Sequence, residues 1–144
     1  MQKHYLCPQH RDWLFHNPTS AHGHMQNAIE TAVYFRERRC WSEALPYQGC
    51  AYETAELLLT NAPEEPVEAI LAFTANAILL SQDLARLGES AQSRDTLEYA
   101  QHRLTAEMAI HLSSKTTQSC LQECIQALAL GQKYRQHSEP RSIH

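Results

Sequence analysis

Residues near the amino end have the types and the spacing that could hold a metal ion. His4, Cys7 and His10 follow one another at intervals of three, and further imidazoles come at His16, His22 and His24. Neutral imidazole and thiolate are good zinc ligands, and several of them on one ion would tether an otherwise loose segment. A zinc-binding or zinc-sensing protein, with Cys7 and His10 as ligands, is therefore one alternative.

A simpler interpretation of the same residues is an arm that docks through its apolar side chains. No Cys-x-x-Cys pair occurs, and Pro8 disturbs the loop that would carry the ligands. Apolar residues are interleaved with the histidines at Tyr5, Leu6, Trp13, Leu14 and Phe15. We therefore favour a docked arm or short helix over residues 1–24, without a cofactor.

The rest of the chain carries no catalytic signature. It has no glycine-rich phosphate loop, no His-Glu-x-x-His helix and no nucleophile elbow. Because there are nine histidines and five cysteines, a Cys–His pair would arise by chance. Glu30, Glu53 and Glu56 are interpreted as a solvated face. Buried, inert thiols are expected at Cys40, Cys50, Cys120 and Cys124. We expect a non-enzyme with no catalytic residues.

Length and composition predict one soluble domain. Among 144 residues only four are glycine and six are proline, which favours helix over sheet. The net charge of -4 gives no basic field that would attract nucleic acid or anionic lipid. The amino-terminal residues lack a signal-like apolar run, and the longest apolar stretch, 69–80, is too short to span a bilayer. We expect a cytoplasmic protein with neither nucleic acid nor membrane as partner.

Apolar periodicity predicts an all-α fold of about five antiparallel helices. They are expected over residues 21–39, 42–59, 66–87, 90–112 and 118–135. Pro46 is tolerable only in a first turn, which places the start of the second helix within the few residues before it. Gly88 supplies the left-handed residue that ends the third helix. The helical domain is expected over 25–135, followed by a flexible polar tail over 136–144.

The first two predicted helices carry small residues where they would cross, with a larger one between. These residues are Ala28, Ala32, Phe35, Ala44 and Ala51. Together with the turn Trp41-Ser-Glu-Ala-Leu45, they resemble a tetratricopeptide repeat. A second helical pair resembles the same frame at Ala77, Leu80, Leu84, Gly88 and Ala91. Ala44 and Ala91 are 47 positions apart, against a family period of about 34, so this chain has longer helices. The resemblance covers residues 25–112, and it makes the last helix a capping helix.

The resemblance implies a curved scaffold that binds a peptide or a helix of a partner protein, without chemistry of its own. The family's frame places four residues of the first helix and two of the third in the groove: Gln26, Ile29, Val33, Arg36, Ile78 and Gln82. The expected function is that of an adaptor or chaperone-like protein. A second alternative is a self-associating structural module, because a short array leaves apolar end faces that can pair with another copy.

Overall fold

A computed structural model describes residues 4–62 and 66–138, with side chains up to residue 133. Within these ranges the chain forms six helices and no strands, so the predicted all-α fold is confirmed. The helices are α1 (Pro8–His16), α2 (Pro18–Glu37), α3 (Trp41–Thr60), α4 (Val67–Arg86), α5 (Ser90–Ile110) and α6 (Lys115–Ser138). Their number exceeds the predicted five because α1 forms inside the segment expected to be an arm or short helix. α6 continues into the predicted tail, and residues 139–144 lie outside the described part.

Two prolines organise the amino-terminal part of the fold. Pro8 begins α1, and the sulfur of Cys7 caps this helix by accepting the backbone N–H of His10 at 3.4 Å. Pro18 begins α2 in the same way. Proline suits a first helical position, because its missing N–H has no intrahelical acceptor there. α1 buries one side chain, that of Leu14, and packs against both α2 and α3.

The turns that follow α2 and α4 have the same backbone conformation, but a different residue adopts the positive φ in each. After α4, Gly88 has φ of 78°, and its N–H and that of the next residue bond back to the last turn of the helix. After α2, Arg39 takes the same role with φ of 58°. Glycine adopts positive φ without strain, whereas arginine does not. The predicted glycine terminator is confirmed, and Arg39 is its strained counterpart.

Pro46 lies deeper in its helix than the sequence predicts. α3 begins at Trp41, so Pro46 is the sixth helical residue and not part of the first turn. The carbonyl of Ser42 consequently loses its helical donor. Ser42 and Pro46 are both exposed, so water can replace that donor. The predicted start of the helix is confirmed, and the predicted first-turn position of Pro46 is wrong.

The even-numbered helices lie side by side and run in the same direction. Near their starts, α2 and α4 line one pocket through Met25 and Ala69, and near their ends Arg36 reaches Asp83. The first turns of α4 and α6 line a second, shallower groove. α3 packs against α2 and α4, and α5 packs against α4 and α6. The odd-numbered helices α3 and α5 therefore form a second layer.

A continuous core between the two layers is shared by α2 to α6, and α4 lies at its centre. Ile70, Phe73 and Leu80 of α4 are buried in it, and Phe73 stacks on Tyr52 with ring centroids 5.3 Å apart. Among the described residues, α4 is the one helix whose length and composition would allow it to cross a membrane. Half of α4 is buried inside the protein, and a core helix meets the same criterion.

Candidate binding surface

The four α2 residues predicted to bind a partner lie along one flank of α2, and Arg36 at the end of this flank reaches α4. Gln26, Ile29, Val33 and Arg36 are spaced by three or four positions and so share one side of the helix. Gln26 is exposed, and the side chain of Val33 is 39% exposed, so both are accessible. Ile29 is half-buried and packs against the core. Gln26 and Val33 are therefore the accessible side chains on this flank.

Arg36 is held by a polar network that joins three helices. Its guanidinium donates to both carboxylate oxygens of Asp83, at 3.1 and 2.7 Å, and to the side-chain oxygen of Gln48 at 3.0 Å. Gln48 donates in turn to Asn76 at 2.8 Å. Asp83 and Gln48 are fully buried. Because a buried bidentate pair is strong and costly to break, Arg36 fixes α2 beside α4 and positions the surface.

The two residues predicted from the second helical pair, Ile78 and Gln82, both lie on α4. Ile78 is half-buried and packs against the core, so only part of its side chain is accessible. Gln82 is half-buried near the end of the helix, one residue before the buried Asp83. The structure therefore places the predicted residues on neighbouring helices, but it leaves their larger apolar members partly covered.

The outward side of α4 carries an apolar strip that the sequence analysis did not single out. We define this α4 strip as Leu71, Ala72, Ala75 and Leu79, which recur at helical spacing. The side chain of Leu71 is 51% exposed, Ala75 is exposed, and the other two are half-buried. A mainly apolar pocket of about 290 Å³ lies on the α2 side of the strip, and the shallower groove lies on the α6 side. The arrangement suits the apolar face of another helix.

A second surface, on the outward side of α3, is already occupied by the chain's own residues 4–6. The carboxylate of Glu53 accepts the backbone N–H groups of Tyr5 at 2.9 Å and of Leu6 at 2.8 Å. Glu53 is 4% exposed, so the prediction of a solvated face is wrong for this residue. The thiol of Cys50 donates to the carbonyl oxygen of Tyr5 at 3.8 Å.

The side chains of Tyr5 and Leu6 are fitted to this surface as closely as their backbone. A Cβ atom on Gly49 would clash with the ring of Tyr5, so glycine is required where the ring lies. Leu6 is buried in a small cluster with Leu14, Ala21 and Leu57. Burial, and then the charge of Glu53, raises the pKa of Tyr5 to about 12. We call Gly49, Cys50, Glu53 and Leu57 the α3 seat.

The candidate zinc ligands take other roles in this arrangement. Cys7 is exposed and caps α1, while the ring of His10 packs edge-on against that of His24, with centroids 4.8 Å apart. Burial, and then the charge of His10, lowers the pKa of His24. Within residues 4–62 and 66–138, no group of three or more His, Cys, Asp or Glu side chains is placed to hold a metal ion.

A further polar cluster ties α3 to α5. Arg103 lies 3.3 Å from the carboxylate of Glu56 and donates to the hydroxyl of Thr60 at 3.0 Å, and it also pairs with Glu107 on its own helix. The hydroxyl of Tyr99 donates to Glu56, and burial followed by this hydrogen bond raises the pKa of Tyr99 to about 12. Glu56 is therefore engaged and does not belong to a solvated face.

The roles of the carboxylates of Asp83 and Glu53 could not be recognised from the sequence, because each carboxylate binds a partner far along the chain. Asp83 meets Arg36 from 47 positions away, and Glu53 meets Leu6 from 47 positions away. One available signal was Gly49, because an isolated glycine in a helical pattern often has a packing reason.

The fold and these two surfaces define an all-helical, two-layer protein in which a covered helix face stands opposite an uncovered one. No family model matches the chain, and no curated protein or solved structure matches it. Its function is therefore inferred from the two surfaces.

Proposed function

We propose that this protein is a non-enzymatic interaction module that binds a helix or peptide of a partner protein along the α4 strip. The observation that carries the proposal is the contrast within α4 itself. Its inner side supplies core residues such as Phe73, while the middle of its outer side is apolar as well, with Leu71 half exposed. Exposed apolar surface that is contiguous and flanked by depressions is typical of an interaction site.

The chemistry of the strip indicates the kind of partner. Ala72 and Ala75 are small, so a partner backbone can approach closely, while Leu71 and Leu79 supply larger contacts at the two ends. A partner helix with apolar residues at intervals of three and four would match this spacing. Each large apolar side chain that such a complex buries fully contributes about 1.5–3 kcal/mol. The exposed Gln26 and Val33 of α2 extend the contact on one side.

The resemblance to tetratricopeptide repeats supports the same function. In this interpretation α2 with α3 and α4 with α5 are two helical hairpins, and α6 caps the array. The parallel direction of α2 and α4 is consistent with it, as is the contact between Arg36 and Asp83 across 47 positions, the same interval as that between Ala44 and Ala91. The chain's helices are about 20 residues long, which accounts for an interval above the family's period of about 34.

The proposal is tested by charging the strip. The immobilised protein is compared with the double variant Leu71→Lys and Ala75→Lys in the capture of proteins from a lysate of its native source. The matched control is Leu130→Lys on α6, because Leu130 is also an exposed leucine on a helix. A photocrosslinking side chain at position 75 then identifies whatever lies directly on the strip.

A protein that wild type and the Leu130 variant retain, and that the strip variant loses, supports the proposal. Crosslinks from position 75 to a second copy of the chain would instead support the self-associating module. Equal retention of every protein by all three forms, with no crosslink at position 75, would refute the strip as a binding surface.

A further inference from the structure

The segment of residues 4–6 is held through its main chain by a single carboxylate. Two successive backbone N–H groups, those of Tyr5 and Leu6, point at the same carboxylate, that of Glu53. Successive N–H groups that converge in this way form a concavity that binds anions. Glu53 supplies the anion from a nearly buried position, so its charge is satisfied by the segment.

The side chains add selectivity to this main-chain contact. The ring of Tyr5 covers Gly49, where a Cβ atom would clash with it, so the seat is shaped for a flat aromatic group. Leu6 enters the cluster with Ala21 and Leu57, where it is 5% exposed. The α3 seat therefore holds Tyr5 and Leu6 in one direction and in one register.

The segment joins the first helix through a very short connection. Cys7 alone stands between Leu6 and the first residue of α1, Pro8. α1 adds a single buried side chain, Leu14, to the contacts of this region. When the segment leaves, the seat opens toward solvent, so water can take over the hydrogen bonds to Glu53 and its charge is not left buried without a partner.

We propose that the α3 seat is a peptide-binding site for an aromatic–leucine segment, and that residues 4–6 are its internal ligand. A partner's segment of the same chemistry competes with the internal one for Glu53 and Gly49. This site lies on α3, away from the α4 strip, so it does not depend on the function proposed above.

The test uses the full chain with an emptied seat. The double variant Tyr5→Ser and Leu6→Ser keeps Gly49 and Glu53 but removes the side chains that hold the internal ligand. The probe is a fluorescent peptide with the sequence of residues 2–9, and its binding is followed by polarisation. A first control peptide has serine in place of Tyr5 and Leu6. A second is N-methylated at these two positions, which removes both N–H donors to Glu53.

Saturable binding of the probe to the emptied variant, with at least about tenfold weaker binding to wild type, is expected, because the tethered ligand competes at a high effective concentration. Both control peptides should lose binding, and Gly49→Ala in the emptied variant should abolish it. The inference is overturned if a variant with wild-type helicity fails to bind the probe at about millimolar concentration. Equal binding of the N-methylated peptide would also overturn it.

Discussion

The outward sides of α3 and α4 differ in whether other residues of the chain cover them. α3 turns Gly49 and Glu53 outward, and residues 4–6 cover them with matched backbone donors and an aromatic ring. α4 turns Leu71 and Ala75 outward, and within the described residues both remain exposed. A face with a carboxylate and a glycine fits one kind of segment, and residues 4–6 provide such a segment. A face of alanine and leucine is adaptable, which fits a site left for another molecule.

The largest effect is expected when Asp83 is replaced, because its buried carboxylate holds Arg36 of α2 against α4. Asp83→Ala removes the partner of Arg36 and leaves a poorly solvated charge, so we expect a loss of about 3–5 kcal/mol in the free energy of unfolding. Urea denaturation followed by circular dichroism measures it. As a control, the double variant Arg36→Met and Asp83→Leu should recover much of the loss, because neither charge remains. A double variant as unstable as Asp83→Ala would contradict this role of the pair.

A smaller and local effect is expected when the covered side is disturbed. Gly49→Ala places a methyl group where the ring of Tyr5 lies, so we expect a cost of about 1–3 kcal/mol, typical of overpacking. The largest loss of protection should fall within residues 4–16, because the ring of Tyr5 packs against the edge of the core and is not one of its buried members. Hydrogen exchange by nuclear magnetic resonance should show lost protection at Tyr5 and Leu6 and unchanged protection in α4. Loss of protection throughout the molecule would show that the segment is part of the global fold.

The same comparison can be made by titration. Since docking raises the pKa of Tyr5 from 10.0 to about 12, the contribution of this shift to docking is complete below pH 10 and is lost as the pH rises from 10 to 12. Absorbance at the phenolate band, with Tyr5→Phe as the spectral reference, isolates this group. In the Gly49→Ala variant the pKa of Tyr5 should return toward 10.0. An unchanged high pKa in that variant would mean that the ring stays docked.

Charging the uncovered side should change binding more than stability. Leu71→Lys should weaken capture of the partner at least about tenfold, the loss expected when a central apolar contact of an interface is replaced by a charge. The free energy of unfolding should change by less than about 0.5 kcal/mol, because the side chain is already half exposed. Thermal denaturation beside the capture assay separates the two. A large drop in stability would indicate that Leu71 belongs to the core.

The smallest effect concerns the turns that follow α2 and α4. Arg39 and Gly88 occupy equivalent left-handed positions, but Arg39 carries a side chain that disfavours this conformation. Arg39→Gly should therefore raise the free energy of unfolding by about 0.5–1 kcal/mol. The opposite change, Gly88→Ala, should lower the free energy of unfolding. A loss of stability in the Arg39 variant would mean that its side chain makes a contribution larger than the strain.

Local signals allowed much of the fold to be predicted, and long-range pairing explains most of what was missed. The helix class, the boundary at Gly88 and the start of α3 follow from residues close together in the chain. The depth of Pro46 in α3 could not be predicted, because tertiary packing outweighs its local cost. A role of Gln26 and Val33 in binding stays a prediction, and Arg36 could not be recognised as engaged without knowing that Asp83 lies opposite. The exposure of the α4 strip could not be predicted, because in the sequence its alanines and leucines look like core residues of a helix.

The pairing of Arg36 with Asp83 also sets a limit on how this chain can change in length. One residue inserted into α3 would turn every later position of that helix by about 100°, so the faces that meet α2 and α4 would no longer be aligned. Arg36 and Asp83 would then face different directions, and a buried charge would be left behind. Insertions and deletions within α3 should therefore be tolerated far worse than those outside its helical residues.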